Sequence, residues 1–141
     1  MSLKKTIILL TRKLPEKIEE KLQKKYTVVL NKNDKRYSYA ELKKKVSDID
    51  ILVPCISDTI DASIIKAAKK LKLISNFGNG VDNLDLITAK ENNVTVTNTP
   101  DVLTEDTADL VLTMILMISR KVQEAQKNLI EGNWSGWDPS K

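Results

Sequence analysis

Histidine is absent from all 141 residues, which removes the commonest general base, the commonest metal ligand and every Ser-His or Cys-His dyad. Cysteine occurs once, at Cys55, so an internal disulfide framework and a thiolate zinc cluster are excluded. That residue follows Val53-Pro54 at the end of an apolar run, where a packing thiol is expected rather than a nucleophile. Long apolar runs are missing too. The longest, Leu110 to Ile118, is broken by Thr113 and falls far short of the ~20 residues that span a bilayer. Met1 to Leu10 has neither an adequate apolar h-region nor a small-residue cleavage site. No membrane segment is expected, and a cytoplasmic location is the default.

With 41% hydrophobic and 30% charged residues, the chain reads as one globular domain with a real core. The net charge of +4 is uneven: residues 1–50 carry 14 Lys and Arg against 7 Asp and Glu, and the remainder 9 against 12. Lys17, Lys21, Lys24 and Lys25 lie among acids on a helical face, without clustered arginine or interleaved aromatics. That pattern is a solvated surface, and no nucleic-acid partner is expected.

Short β-type runs alternate with amphipathic segments. Thr6 to Leu10 is a fully apolar strand of the buried, parallel-sheet kind. Pro15 suits a first helical turn, and Ile18 and Leu22 mark one face through Lys25. Tyr26 to Leu30 is a second strand. Ser38 and Glu41 form a capping box that opens a helix through Val46. Asp50 to Pro54 is a third strand. Asp61 then caps a helix carrying Ile64, Ile65, Ala68 and Leu71 at helical spacing. Leu73 to Asn76 is strand four, Leu84 to Asn92 a helix capped by Asp82 or Asn83, and Val94 to Thr97 strand five. This alternation predicts an α/β fold: a flavodoxin-like, doubly wound, parallel five-stranded sheet covered on both faces. A barrel would need about 250 residues. After the Pro100 elbow, Thr104 is a plausible N-cap, with Glu105 and Asp106 complementing the dipole of a long helix. That helix is apolar nearly all round from Leu110 to Ile118 and lacks an obvious partner. The irregular segment from Glu131 to Lys141, with Trp134 and Trp137, also needs something to pack against.

Ligands of doubly wound sheets bind beyond the carboxyl ends of the strands. Three loops fall there: Cys55 to Asp58, Phe77 to Asp82, and Asn98 to Asp101. In the second, Gly78 and Gly80 bracket Asn79. Unusual backbone angles at the two glycines would let the N–H groups of Asn79, Gly80 and Val81 converge on an anion such as a carboxylate. The plainer alternative is a tight strand-to-helix turn. The loop is not a dinucleotide fingerprint, because the third glycine of G-x-G-x-x-G is replaced by Asn83, and there is no Walker lysine. Asp82 and Asp85 sit beside a helix start, where capping explains them, so no metal site is expected.

At NFGNGVDNLD and TNTPDVLTEDTADL, about 20 residues apart, the chain resembles the D-isomer-specific 2-hydroxyacid dehydrogenases, and most of all their glyoxylate/hydroxypyruvate reductases. The resemblance extends over essentially the whole sequence, including Arg120-Lys121 and the EGNWSGWDPSK tail. It implies that residues 1–100 are a substrate (catalytic) domain. Residues 101–141 would then be a crossover helix and tail entering a Rossmann NAD(P) domain that this sequence lacks. By the same resemblance, Ile56, Ser57, Asn79, Gly80 and Val81 would bind the substrate, with the carboxylate on the backbone of residues 79–81. Asn79 and Thr104 would approach the nicotinamide. The family's catalytic arginine, acid and histidine would lie beyond this chain. NAD or NADP would serve the full-length family, none is expected on this chain alone, and the chain by itself is expected to be inert. The implied partners are a small 2-oxo or 2-hydroxy acid and a second copy of the chain, joined through the 104–120 helix. A non-catalytic module that binds or senses such acids is the alternative.

Overall fold

A computed structural model of the protein describes residues 6–137 and 139. The tail residues Asp138, Ser140 and Lys141 and the first five residues of the chain lie outside it. Two compact units divide the chain, Met1–Asp101 and Val102–Lys141.

In the first unit, β1 (Ile7–Leu10), β2 (Thr27–Val29), β3 (Ile51–Val53), β4 (Leu73–Ser75) and β5 (Thr95–Thr97) form one sheet in the order β2-β1-β3-β4-β5. Every pairing is parallel, for example Leu9 opposite Val29 and Leu52 opposite Ile74. This is the flavodoxin-like 2-1-3-4-5 order. Parallel neighbours require crossovers, supplied by α1 (Glu16–Gln23), α2 (Tyr39–Lys45), α3 (Ala62–Ala67) and α4 (Leu86–Glu91). A single 3-10 turn, Val46–Asp48, follows α2. The central strands bury Leu9, Leu52 and Ile74 fully, whereas the edge strands β2 and β5 each leave their outer two residues exposed.

The core forms where α2, α3 and α4 lie on one face of the sheet. Leu9, Leu52 and Ile74, paired side by side across β1, β3 and β4, meet Leu42, Val46, Ile64 and Ile65, all between 0% and 3% exposed. Each such burial contributes roughly 1.5–3 kcal/mol. The period-2 and period-3.6 patterns converge on this layer, which is why these elements form.

The opposite face differs from the expectation that both faces are covered. Of the described helices of the first unit it bears only α1, and beside α1 a trough of about 430 Å³ is lined by Ile51 and Val53 of β3, Leu73 of β4, Ile18, and Phe77. The cause is topological. The chain leaves β1 in one direction and reverses after β2, so the three later right-handed crossovers all fall on the other face.

The caps match the sequence at α2 and α3. Ser38 and Glu41 form a reciprocal capping box, and Asp61 accepts from Ile64 N–H at 2.9 Å. At α4 the cap is Asp85, accepting from Thr88 N–H at 2.9 Å, rather than Asp82 or Asn83. The chain runs two residues further before turning helical because Ile60 and Leu84 first form a parallel bridge.

The second unit contains α5 (Thr104–Ser119) and α6 (Val122–Ile130), separated by Lys121 with φ +51°. Thr104 is not the N-cap. Leu103 holds that position without a side-chain hydrogen bond, and Thr104 is the first helical residue. The acids Glu105 and Asp106 still occupy the first turn. Leu110, Leu112, Ile115 and Leu116 are all more than half exposed. Helix α6 has no counterpart in the sequence reading; the tail after it is irregular, with Trp137 86% exposed. Among the described residues, no helix is long and apolar enough to cross a membrane.

Candidate functional site

The three loops beyond the carboxyl ends of β3, β4 and β5 are built from short polar links rather than from packing. After β3 the chain makes a turn closed by Asp58 N–H to Cys55 O, 2.9 Å. Asp58 is only 2% exposed, and its Oδ2 accepts from the Cys55 N–H at 2.9 Å and from the Thr11 hydroxyl. A buried carboxylate is tolerated here because donors surround it. It ties the end of β1 to the end of β3.

After β4, two asparagines close the neck of the glycine loop. Asn76, 1% exposed, donates from Nδ2 to Gly80 O at 2.9 Å. Asn83 donates from Nδ2 to Cys55 O at 3.2 Å and bonds Asn76 side chain to side chain at 3.2 Å. These residues join the second loop to the first, and Cys55 and Phe77 add a parallel bridge. From the sequence Asn76 is expected only as the end of a strand and Asn83 as a possible helix cap, neither as part of the site. A polar residue at the carboxyl end of an otherwise apolar buried strand was the available signal for Asn76.

The glycines act differently from the expectation. Neither Gly78 nor Gly80 adopts a positive φ; among the described glycines only Gly132 and Gly136 do. The role of Gly78 is close approach. A β-carbon there would lie 2.1 Å from Ile56 Cγ2, so only glycine lets the two loops touch. Gly80 meets nothing nearer than Asp82 Oδ2 at 3.9 Å from its ideal Cβ position.

The third loop locks onto the second. Asn98 donates from Nδ2 to Asn79 O at 2.7 Å, Thr99 N–H to Gly78 O at 3.0 Å, and Asp101 N–H to Asn79 Oδ1 at 3.1 Å. Asp101 itself sits in the left-handed region at φ +61°.

Ile56, Ser57, Asn79, Gly80 and Val81 therefore lie on two loops in direct contact. Asn79 and Gly80 are exposed, Val81 half-buried. Among the described residues, the N–H groups of Asn79, Gly80 and Val81 donate to no protein acceptor. The Ser57 Oγ is buried without a hydrogen-bond partner. The exposed amides in this state are open to a ligand oxygen, and the buried hydroxyl is left with unspent hydrogen-bonding capacity. The loops themselves carry no lysine or arginine, so any carboxylate would rely on these dipoles. Thr104, the remaining sequence candidate, belongs to the second compact unit, exposed at the start of α5.

Elsewhere in the chain the anion-attracting positions are already taken. Every helix opens on an acid: Glu16 and Glu19, Glu41, Asp61, Asp85, Glu105 and Asp106, and Glu124. The Ile64 N–H, with help from the Tyr39 hydroxyl, holds Asp61 below the usual carboxylate range, and Thr88 does the same for Asp85. A pyrophosphate would meet negative charge at each helix N-terminus. None of these described helix starts is therefore suited to the pyrophosphate of a dinucleotide, and no step involving one is assigned to them. Nor do they place three or more Cys, Asp or Glu side chains to hold a metal ion.

The glycine loop, the elbow and the surrounding sheet all fall within the range of one family profile, described as D-isomer specific 2-hydroxyacid dehydrogenase, catalytic domain, which matches residues 8–133. The chain belongs to this dehydrogenase family. This family member is 38% identical over 136 residues to a glyoxylate reductase of Thermococcus onnurineus, an alignment covering 94% of the chain and 41% of that relative. A glyoxylate reductase of Korarchaeum cryptofilum is 35% identical, with 94% and 40% covered. Among solved structures, a Thermus thermophilus protein superposes with a TM-score of 0.80 at 37% identity, over 95% of this chain and 43% of its own. An NADPH-dependent glyoxylate/hydroxypyruvate reductase of Sinorhizobium meliloti, crystallised with NADP and malonate, gives 0.76 at 28% identity, over 96% and 42%. The dehydrogenase-family chain thus spans about 41% of the length of the curated relatives it matches.

Proposed function

We propose that this chain is the substrate-domain portion of an NAD(P)-dependent oxidoreductase that interconverts 2-oxo acids of the glyoxylate/hydroxypyruvate type with D-2-hydroxy acids, and that it is inactive alone. The observation that carries the reading is the row of unengaged N–H groups at Asn79, Gly80 and Val81, beside the unpartnered Ser57 hydroxyl. Dipoles fixed in this way favour a carboxylate without a cation. Ile56, packed on Gly78, supplies an apolar wall for the short carbon chain of the substrate. Asn79 and Thr104 would lie toward the nicotinamide in the longer enzyme.

Residues 1–100 are the substrate domain in this reading, and α5 and α6 lead into a dinucleotide domain. Support comes from the relatives, which are more than twice as long and some of which were crystallised with NADP or NAD+. The acid at every helix start keeps the cofactor off this chain. Hydride transfer needs the nicotinamide held against the substrate carbon and a proton donor poised near neutral pH, and this chain's loops offer neither. A second copy would associate through the exposed apolar residues of α5.

Isothermal titration with glyoxylate or malonate, alongside a glyoxylate assay with NADH and NADPH, tests the reading. Saturable binding without turnover is expected. Turnover at a rate limited by this chain would overturn the claim of inactivity, and absence of binding would overturn the carboxylate site.

A further inference from the structure

Asn79 touches two things at once. Its main-chain N–H is one of the three open donors of the glycine loop, while its main-chain oxygen and side-chain Oδ1 hold the elbow that follows β5. The main-chain oxygen receives Asn98 Nδ2 at 2.7 Å, and the side-chain Oδ1 receives the Asp101 N–H at 3.1 Å. Thr99 N–H to Gly78 O, at 3.0 Å, makes the third link. Asp101 is the last residue of the first compact unit, and its peptide leads directly to Val102.

The conformation held there is an uncommon one. Asp101 has φ +61°, a region that non-glycine residues enter at a cost and keep only where contacts impose it. Removing the Asn79 acceptor removes the contact on the Asp101 N–H itself. The grip of Asn79 and the left-handed turn at 101 occur together, and release of the grip to a negative φ at 101 would make the elbow a two-state element. A coupling between two sites needs such an element, one that both can bias.

We propose that Asn79 is a positioning residue that couples occupancy of the 79–81 amides to the conformation of the 98–101 elbow. An acceptor on the N–H groups of 79–81 fixes the loop backbone and with it the place of Asn79 O and Oδ1. The grip on Asn98 and Asp101 tightens, and the direction in which the chain leaves the first unit becomes set. Because coupling is reciprocal, a locked elbow in turn raises affinity for the anion. The inference rests on reading 79–81 as a carboxylate site, and the experiment separates the two.

The test is amide NMR with hydrogen exchange on the whole chain, titrated with malonate to saturation. Malonate is expected to shift the 79–81 amides and to slow exchange at the Asp101 and Thr99 N–H groups by about fivefold or more. In Asn79→Ala at saturation, whatever its new Kd, the shifts at 80 and 81 persist and the slowing at 99 and 101 is lost. Asp101→Pro, which has no N–H and is locked near φ −65°, attacks the same link from the other end. It is expected to raise the malonate Kd by about the factor by which malonate slows exchange in the parent chain. Asp101→Gly, which keeps both the N–H and access to positive φ, retains the response. Shifts at 79–81 without slowing at 101, or a full response in Asn79→Ala, overturn the coupling and leave the carboxylate site standing. No shift at 79–81 overturns both.

Discussion

Ile56 and Gly78 occupy each other's van der Waals envelope to the point where a β-carbon on residue 78 would lie 2.1 Å from Ile56 Cγ2. Gly78→Ala should therefore destabilise by about 1–3 kcal/mol, the usual range for overpacking. Shortening the opposing side chain should relieve it. The double variant Gly78→Ala/Ile56→Ala is expected to be more stable than Gly78→Ala alone, a non-additivity that urea titration of all four chains will read.

Asp61 caps α3 through the Ile64 N–H, and its carboxyl is held below its ordinary value of 3.8. A depressed folded pKa contributes stability above the unfolded value, and that stability is lost as pH falls below it. Asp61→Ala should cost about 1 kcal/mol at neutral pH. The difference from the parent should shrink as the pH is taken below about 3.8. Thermal melts across this window check the sign: a gap that widens in acid contradicts it.

Ser57 presents a buried Oγ with no protein partner. Ser57→Ala should leave stability within about 0.5 kcal/mol of the parent or raise it, since no hydrogen bond is broken. Malonate or glyoxylate binding should weaken in the same variant. Loss of several kcal/mol in denaturation would mean that the hydroxyl serves the fold instead.

Leu112 and Ile115 are 56% and 57% exposed on α5. Under the proposed association through α5, replacing both with lysine should convert dimer to monomer by light scattering, without loss of the sheet signal in circular dichroism. An unchanged mass would remove α5 from the interface.

The alternating apolar runs made all five strands legible, and Ser38, Glu41 and Asp61 gave two caps outright, because these signals are local. Four features were not local. The cap at Asp85 depended on the Ile60–Leu84 bridge, which pairs residues 24 apart and delays the helix. The glycines of the second loop signalled unusual backbone angles, but the demand on Gly78 comes from Ile56, 22 positions away on another loop. Asn76 and Asn83 looked like the end of a strand and a possible cap; only the fold shows them lacing two loops together. The one-sided covering of the sheet follows from strand order, which no window of sequence contains.

The short edge strands have a consequence for assembly. β2 and β5 offer a neighbouring chain only three residues each, with threonine at the outer positions of β5 and at one of those of β2. So brief a ladder gives an intruding strand few hydrogen bonds to copy, which protects the sheet from edge-to-edge growth. Copies of this chain are steered away from fibrous, strand-on-strand contacts, and whatever order they adopt is left to helices and loops.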